Sequence, residues 1–226
     1  MPGFKLSPKM AEGLLKSVVY GDLLQKMLTK NRAYEKNKGE TQKLFDSWME
    51  KCKELVNKSS MKQFKQSIYD IVDDFEKIEL DTSIVKPKVG IVGEVLIKYH
   101  PFGNNFVADK LEEEGAEVIL PDFMGFVKFI ATHKITFNQL IKTDAVKAKL
   151  FKTAIKLIDL LEKPVVSALK KSKKGYLLPC NIWELEEKVN DILSIGNQTG
   201  EGWFLTGEMV ELIHSGVPNI VCTQPF

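Results

Sequence analysis

Apolar residues return at three- and four-residue intervals through the first third of the chain, a spacing that predicts helices. Leu14, Leu15, Val18, Val19, Leu23, Leu24, Met27 and Leu28 make one stripe. Leu44, Phe45, Trp48, Cys52, Leu55 and Val56 make a second, over Thr41 to about Asn57. Phe64, Ile68, Ile71, Val72 and Phe75 make a third, from about Ser60 to Lys77. Asn31 to Glu40 reads as a polar connector between the first two. Cys52 lies inside a stripe and reads as a small buried apolar residue. No catalytic spacing occurs here. This part reads as scaffold.

The pattern changes at Lys86-Pro87. Val89-Gly90-Ile91-Val92-Gly93 is a short unbroken apolar run, as a parallel strand covered on both faces requires. A turn-rich segment follows, then a helix from about Asn105 to Glu114 with Asn104 or Asn105 as N-cap. Gly115 ends it, and Ala116 to Pro121 reads as a second strand, which completes a βαβ unit. Residues 122–171 read as helical, with Ala154, Ile155, Ile158 and Leu161 facing inward and Pro164 interrupting the longest piece. Another helix is expected from about Asn181 to Ser194. Leu205, Met209, Leu212 and Ile213 mark a last one, ended by Gly216 ahead of the strand Asn219-Ile220-Val221-Cys222. Open parallel sheets bind ligands beyond the carboxyl ends of their strands. The sequence stops at Gln224-Pro225-Phe226, just past such an end, so a fragment of a larger protein is expected, cut where the site begins.

Composition narrows the class. In 226 residues, 44% hydrophobic and 27% charged content excludes a disordered or fibrous chain. A net charge of +2 gives no sign of a nucleic-acid binder. No apolar run is long enough to span a membrane. Met1-Pro2-Gly3-Phe4-Lys5-Leu6 lacks the features of a secretory leader. Three dispersed cysteines, Cys52, Cys180 and Cys222, fit reduced thiols in a cytoplasm. Charge is unevenly spread: +3 over residues 1–86, −4 over 87–127, +9 over 128–174 and −6 over 175–226. Two explanations fit: a basic helical segment folded over acidic neighbours, or a patch for a polyphosphate ligand such as coenzyme A or for an acidic partner.

Two stretches carry candidate chemistry. Glu94 stands at the carboxyl end of the first strand, suited either to acid–base work or to capping a neighbouring helix. His100, Asn104 and Asn105 follow it. His100 reads as a loop histidine, because no second His or Cys stands at metal-ligand spacing. Gly90-x-x-Gly93 is not a dinucleotide fingerprint, and no P-loop occurs, so ATP hydrolysis is not expected. Asn197, Gln198, Thr199, Gly200 and Glu201 lie in the stretch Gly196–Trp203. Its three glycines let backbone amides converge before a helix N-terminus, for a ligand or as an elaborate cap centred on Thr199. Cys222, at a strand end, is where an iron–sulfur ligand would sit, although one thiolate cannot hold a cluster.

Four segments carry a resemblance: Arg32-Ala33-Tyr34-Glu35 with Asn37-Lys38-Gly39-Glu40-Thr41; Val89 to Glu94; Pro101-Phe102-Gly103-Asn104-Asn105; and Gly196 to Trp203 running on to Asn219–Phe226. Together they resemble the carboxyl-terminal region of the activator proteins related to 2-hydroxyacyl-CoA (2-hydroxyglutaryl-CoA) dehydratases, over most of the chain. The resemblance implies a setting in which an ATP-driven activase with an iron–sulfur cluster sends a low-potential electron to a dehydratase. The dehydratase then removes water from a 2-hydroxyacyl-CoA through a ketyl radical. It implies an α/β architecture: a Rossmann-like three-layer module with a short parallel sheet over residues 87–226, behind a helical segment over 1–86. It also implies a possible [4Fe-4S] cluster in the full-length protein with Cys222 among its ligands. The implied partners are the other domains of the parent protein or a dehydratase or activase subunit, and an acyl-CoA ligand. Where dehydratase subunits carry a cysteine after the second strand, this chain reads Pro121-Asp122-Phe123-Met124-Gly125. The leading expectation is a non-ATPase piece of that system, with Glu94, His100, Asn104, Asn105, Asn197, Thr199, Gly200 and Glu201 at one ligand face. The alternative is a protein-docking module with no small-molecule site, using the basic segment and the first helices.

Overall fold

Ser7 opens the first helix by accepting the Met10 amide on its hydroxyl, with Pro8 in the first turn, where its missing N–H costs nothing. The computed structural model describes residues 7–225; the readings placed on Met1–Leu6 and on Phe226 lie outside them. Helix α1 (Pro8–Tyr34) is followed by α2 (Glu40–Lys58) and α3 (Met61–Glu76). Ser60 and Gln63 start α3 with a reciprocal capping box. The predicted stripes face the core except at Leu14, which is exposed: Leu23, Leu24, Met27, Phe64, Ile68, Ile71 and Phe75 are all within 1% of full burial, while Leu44, Phe45, Leu55 and Val56 of the second stripe are partly buried against them. Cys52 is buried among them.

These helices do not close on themselves. Their core continues into Met124, Ile158, Val165, Ala168 and Leu169, which belong to α6 (Phe123–Ile141) and α7 (Ala145–Lys171). A second core gathers Phe129, Ile155, Ile182, Leu185, Trp203 and Phe204 from α6, α7, α8 (Ile182–Val189) and α9 (Gly202–His214).

The fold is mixed α/β, built on a small, wholly parallel three-stranded sheet in the order β2-β1-β3. Strand β1 (Lys88–Gly93) is central and buried from Val89 onward, which explains its unbroken apolar run. Short helices α4 (Val95–Tyr99) and α5 (Val107–Glu113) carry the chain to β2 (Glu117–Ile119), and α6 to α9 carry it to β3 (Asn219–Thr223). The β1–β3 register pairs Val89 with Asn219 and Gly93 with Thr223. Gly90 lets α9 come close: a Cβ there would meet Leu212 Cδ1 at 2.7 Å.

Five local expectations are corrected. The connector begins only after Tyr34, because Asn31 is buried inside α1, where its amide donates to Met27 O and to the Tyr176 hydroxyl, both at 2.7 Å. Pro164 does not interrupt α7. It is itself buried, and packing on both sides offsets the one helical hydrogen bond it removes. The segment after β1 is not all turn, since it contains α4. The next helix starts at Val107 after Phe106, not at Asn105, although the Asn104 side chain does accept the Val107 amide at 3.2 Å. The helix after Asn181 stops at Val189, short of Ser194.

Candidate functional site at the strand ends

Beyond the carboxyl ends of β1 and β3 the chain forms a rim. Gly93, at φ +141°, turns it sharply, and the Glu94 amide then donates to Thr223 O at 3.0 Å. The Thr223 hydroxyl donates to Val92 O at 3.2 Å. The Glu94 carboxylate accepts the Ile97 amide at 2.8 Å, so it caps α4. One residue on, the Val95 amide donates to the Glu201 carboxylate at 3.2 Å. This contact joins the Glu94 turn to the glycine stretch.

The glycine stretch is folded by its own backbone. The Trp203 amide donates to Asn197 O at 2.8 Å and the Gly202 amide to Thr199 O at 3.0 Å. Gly202 has φ +51°, and a Cβ there would stand 2.1 Å from Asn197 O. The N-cap of α9 is Glu201, not Thr199. Thr199 and Gly200 face solvent, while the Asn197 side-chain amide donates to Ser194 O at 3.0 Å.

The other candidates sit on the connection after α4. His100 Nδ1 accepts the Gly103 amide at 2.9 Å, and the Asn104 amide donates to Ile97 O at 2.9 Å and Lys98 O at 3.2 Å. Asn105 and Phe106 are both left-handed, at φ 57° and 55°. Among the described residues no hydrogen bond ties His100, Asn104 or Asn105 to the 196–202 stretch. Glu94 and Glu201 are brought together; these three are not shown to join them.

Cys222 is exposed on β3, in register with Val92. Cys52 and Cys180 lie elsewhere, and burial pushes both thiols up to about 12. Among the described residues no group of three or more His, Cys, Asp and Glu side chains is gathered to hold a metal ion. A cluster needs four such ligands. The rim supplies one thiol, so these residues are not a cluster-binding set on their own.

A second polar region, absent from the sequence-based candidates, borders a cavity of about 620 Å³ beside β2. Lys26 bonds Asp122 and Leu177 O, Lys30 bonds Glu117 at 2.8 Å, and the Tyr34 hydroxyl donates to Glu117 at 2.8 Å. Asp22 accepts the Phe123 and Met124 amides at 2.8 and 2.9 Å. Burial, reinforced by the neighbouring Asp122 carboxylate, raises Asp22 to about 8 despite those amides and Lys26. Applying the strand-end rule to β2 would have pointed to Asp122. Its lysine partner, Lys26, lies 96 positions away in sequence and gave no local signal.

No helix is long and apolar enough to cross a membrane among the described residues. No family model, curated protein or solved structure matches the chain.

Proposed function

We propose that this chain is a non-ATPase part of a 2-hydroxyacyl-CoA dehydratase activation system and that it binds a CoA-type ligand at the β1–β3 rim. The observation that carries the reading is the parallel, in-register pairing of β1 with β3, which seats Val95 against Glu201. Two of the four segments that carry the family resemblance border this rim: Val89–Glu94, and Gly196–Trp203 with its continuation Asn219–Thr223. Pro101–Asn105 lies on the connection after α4, and in the remaining segment Arg32, Tyr34 and Glu35 bond Glu112, Glu117 and the start of α2.

The exposed Thr199 hydroxyl and Gly200 backbone offer neutral hydrogen-bonding groups suited to the amides of a pantetheine arm. Residues 87–225 act as a Rossmann-like module of a larger cytoplasmic protein in this reading, beside a dehydratase or activase subunit. Cys222 would contribute one ligand to a [4Fe-4S] cluster, whose chemistry when bound is one-electron delivery, with the remaining ligands coming from elsewhere.

Titration calorimetry with 2-hydroxyglutaryl-CoA tests the reading, with free CoA as the comparison. Saturable heat is expected, weakened about tenfold (about 1.4 kcal/mol) by Thr199→Ala combined with Glu201→Gln. No heat, or heat that the double variant leaves unchanged, overturns it.

A further inference from the structure

Helix α7 carries a second pattern on its outward face. Val146, Leu150, Thr153, Leu157 and Leu160 follow one another in alternating steps of four and three, the a/d spacing of a coiled-coil seam. The four large apolar side chains in that row are 80%, 65%, 57% and 50% exposed. The opposite side of the helix is already packed through Ile155, Ile158, Val165 and Leu169. The seam is therefore surplus to the cores. At 1.5 Å rise per residue it runs about 21 Å, four helical turns. Its carboxyl-terminal end opens into a groove of about 760 Å³ against α1 and α3, lined by Leu15, Tyr69, Leu161 and Pro164.

Charge says what fits. Lys149, Lys156, Lys163 and Lys170 stand at strict seven-residue steps, all exposed, each preceding an a position or its continuation. This is the g row of the heptad, which in coiled coils selects the partner by its charge. The ion pairs of α7 use Lys147, Asp159 and Glu162, and none of the four g lysines has a carboxylate partner among the described residues. A second copy of the chain is a poor occupant. A parallel pairing sets these lysines against Ala154, Leu161 and Ala168 of the e row, and an antiparallel one sets lysine against lysine.

We propose that the outer face of α7 docks an acidic amphipathic helix of another protein, with Leu-type residues on the seam and glutamates facing the lysine row. The proposal rests on α7 alone and is independent of the rim: calorimetry with acyl-CoA can fail while this holds, and the reverse.

A fluorescein-labelled peptide of four heptads, with Leu at a and d and Glu at e and g, is the probe. Its twin carries Lys at e and g. Fluorescence anisotropy with the full chain is expected to show binding of the acidic peptide and not of the basic one. Raising NaCl from about 50 to about 500 mM should weaken that binding about tenfold or more, because flanking charges at a solvent-exposed seam are screened. Lys149→Glu, Lys156→Glu and Lys163→Glu together should swap the preference to the basic peptide. Leu150→Asp with Leu157→Asp should abolish binding of both, with an unchanged far-UV circular dichroism spectrum, since both side chains are exposed. Equal binding of the two peptides, no binding of either, or charge reversal without a swap overturns the proposal. So does capture by phosphatidylserine-containing vesicles in preference to the acidic peptide, which would make the face a lipid surface.

Discussion

The Lys98 ammonium lies 2.8 and 2.9 Å from the two carboxylate oxygens of Glu208, and both side chains are at least 95% buried. The pair fastens α4, at the end of β1, to the middle of α9. Burial pushes the Glu208 carboxyl up, and Lys98 offsets only part of that. Removing one partner strands a charge in a dry site. Lys98→Met is therefore expected to cost about 3–5 kcal/mol, whereas Lys98→Met with Glu208→Leu should recover most of the loss. Urea unfolding of the two single variants and the double variant closes the cycle; purely additive losses would refute the coupling.

Asp22 predicts an unusual pH dependence. Its folded-state pKa, about 8, lies above the ordinary aspartate value of 3.8. The folded protein thus holds a proton that the unfolded chain releases, and this site withdraws stability as pH rises from about 4 to about 8. Wild-type protein should have a lower urea midpoint at pH 8.5 than at pH 6. Asp22→Asn should flatten the difference, and an equal slope in both proteins would count against the assignment.

Gly93 offers a conformational test of the rim. At φ +141° an added Cβ would lie 2.0 Å from Thr223 O, so the β1–β3 pairing must give way. Gly93→Ala should cost at least about 2 kcal/mol by chemical denaturation. A neutral effect would mean that the strand ends are not held as described.

The thiols should separate by reactivity. Cys52 and Cys180 have burial-raised pKa values of about 12, while Cys222 is exposed. Since the thiolate is the nucleophile, iodoacetamide at pH 8 should modify Cys222 first and the other two only on unfolding. Peptide mass mapping reads the order directly.

How much was legible follows from what is local. The stripes of α1 to α3 are periodic patterns, Val89–Gly93 is an unbroken apolar run and Ile220–Cys222 a short one, and the structure forms an element at each. Asn31 misled because a polar residue looks like loop unless its distant partner, Tyr176, is known. Pro164 misled because the packing that holds the helix through it comes from other elements. The meeting of Glu94 and Glu201 could be anticipated from the parallel-sheet rule alone. The roles of Lys26, Lys30 and Lys98 could not, since their acidic partners stand 96, 87 and 110 positions away. The Lys149–Lys170 row was visible as a block of positive charge, but only the helix shows which side of it faces water.

The central strand has one neighbour that arrives promptly and another that arrives very late: Lys88 and Asn219 touch across 131 positions. Closing so long a loop is entropically uphill and slow. During synthesis β1 must wait, with one edge open, until the chain through Thr223 has emerged. Nascent chains halted before β3 should accordingly be the aggregation-prone species and the natural clients of a holding chaperone.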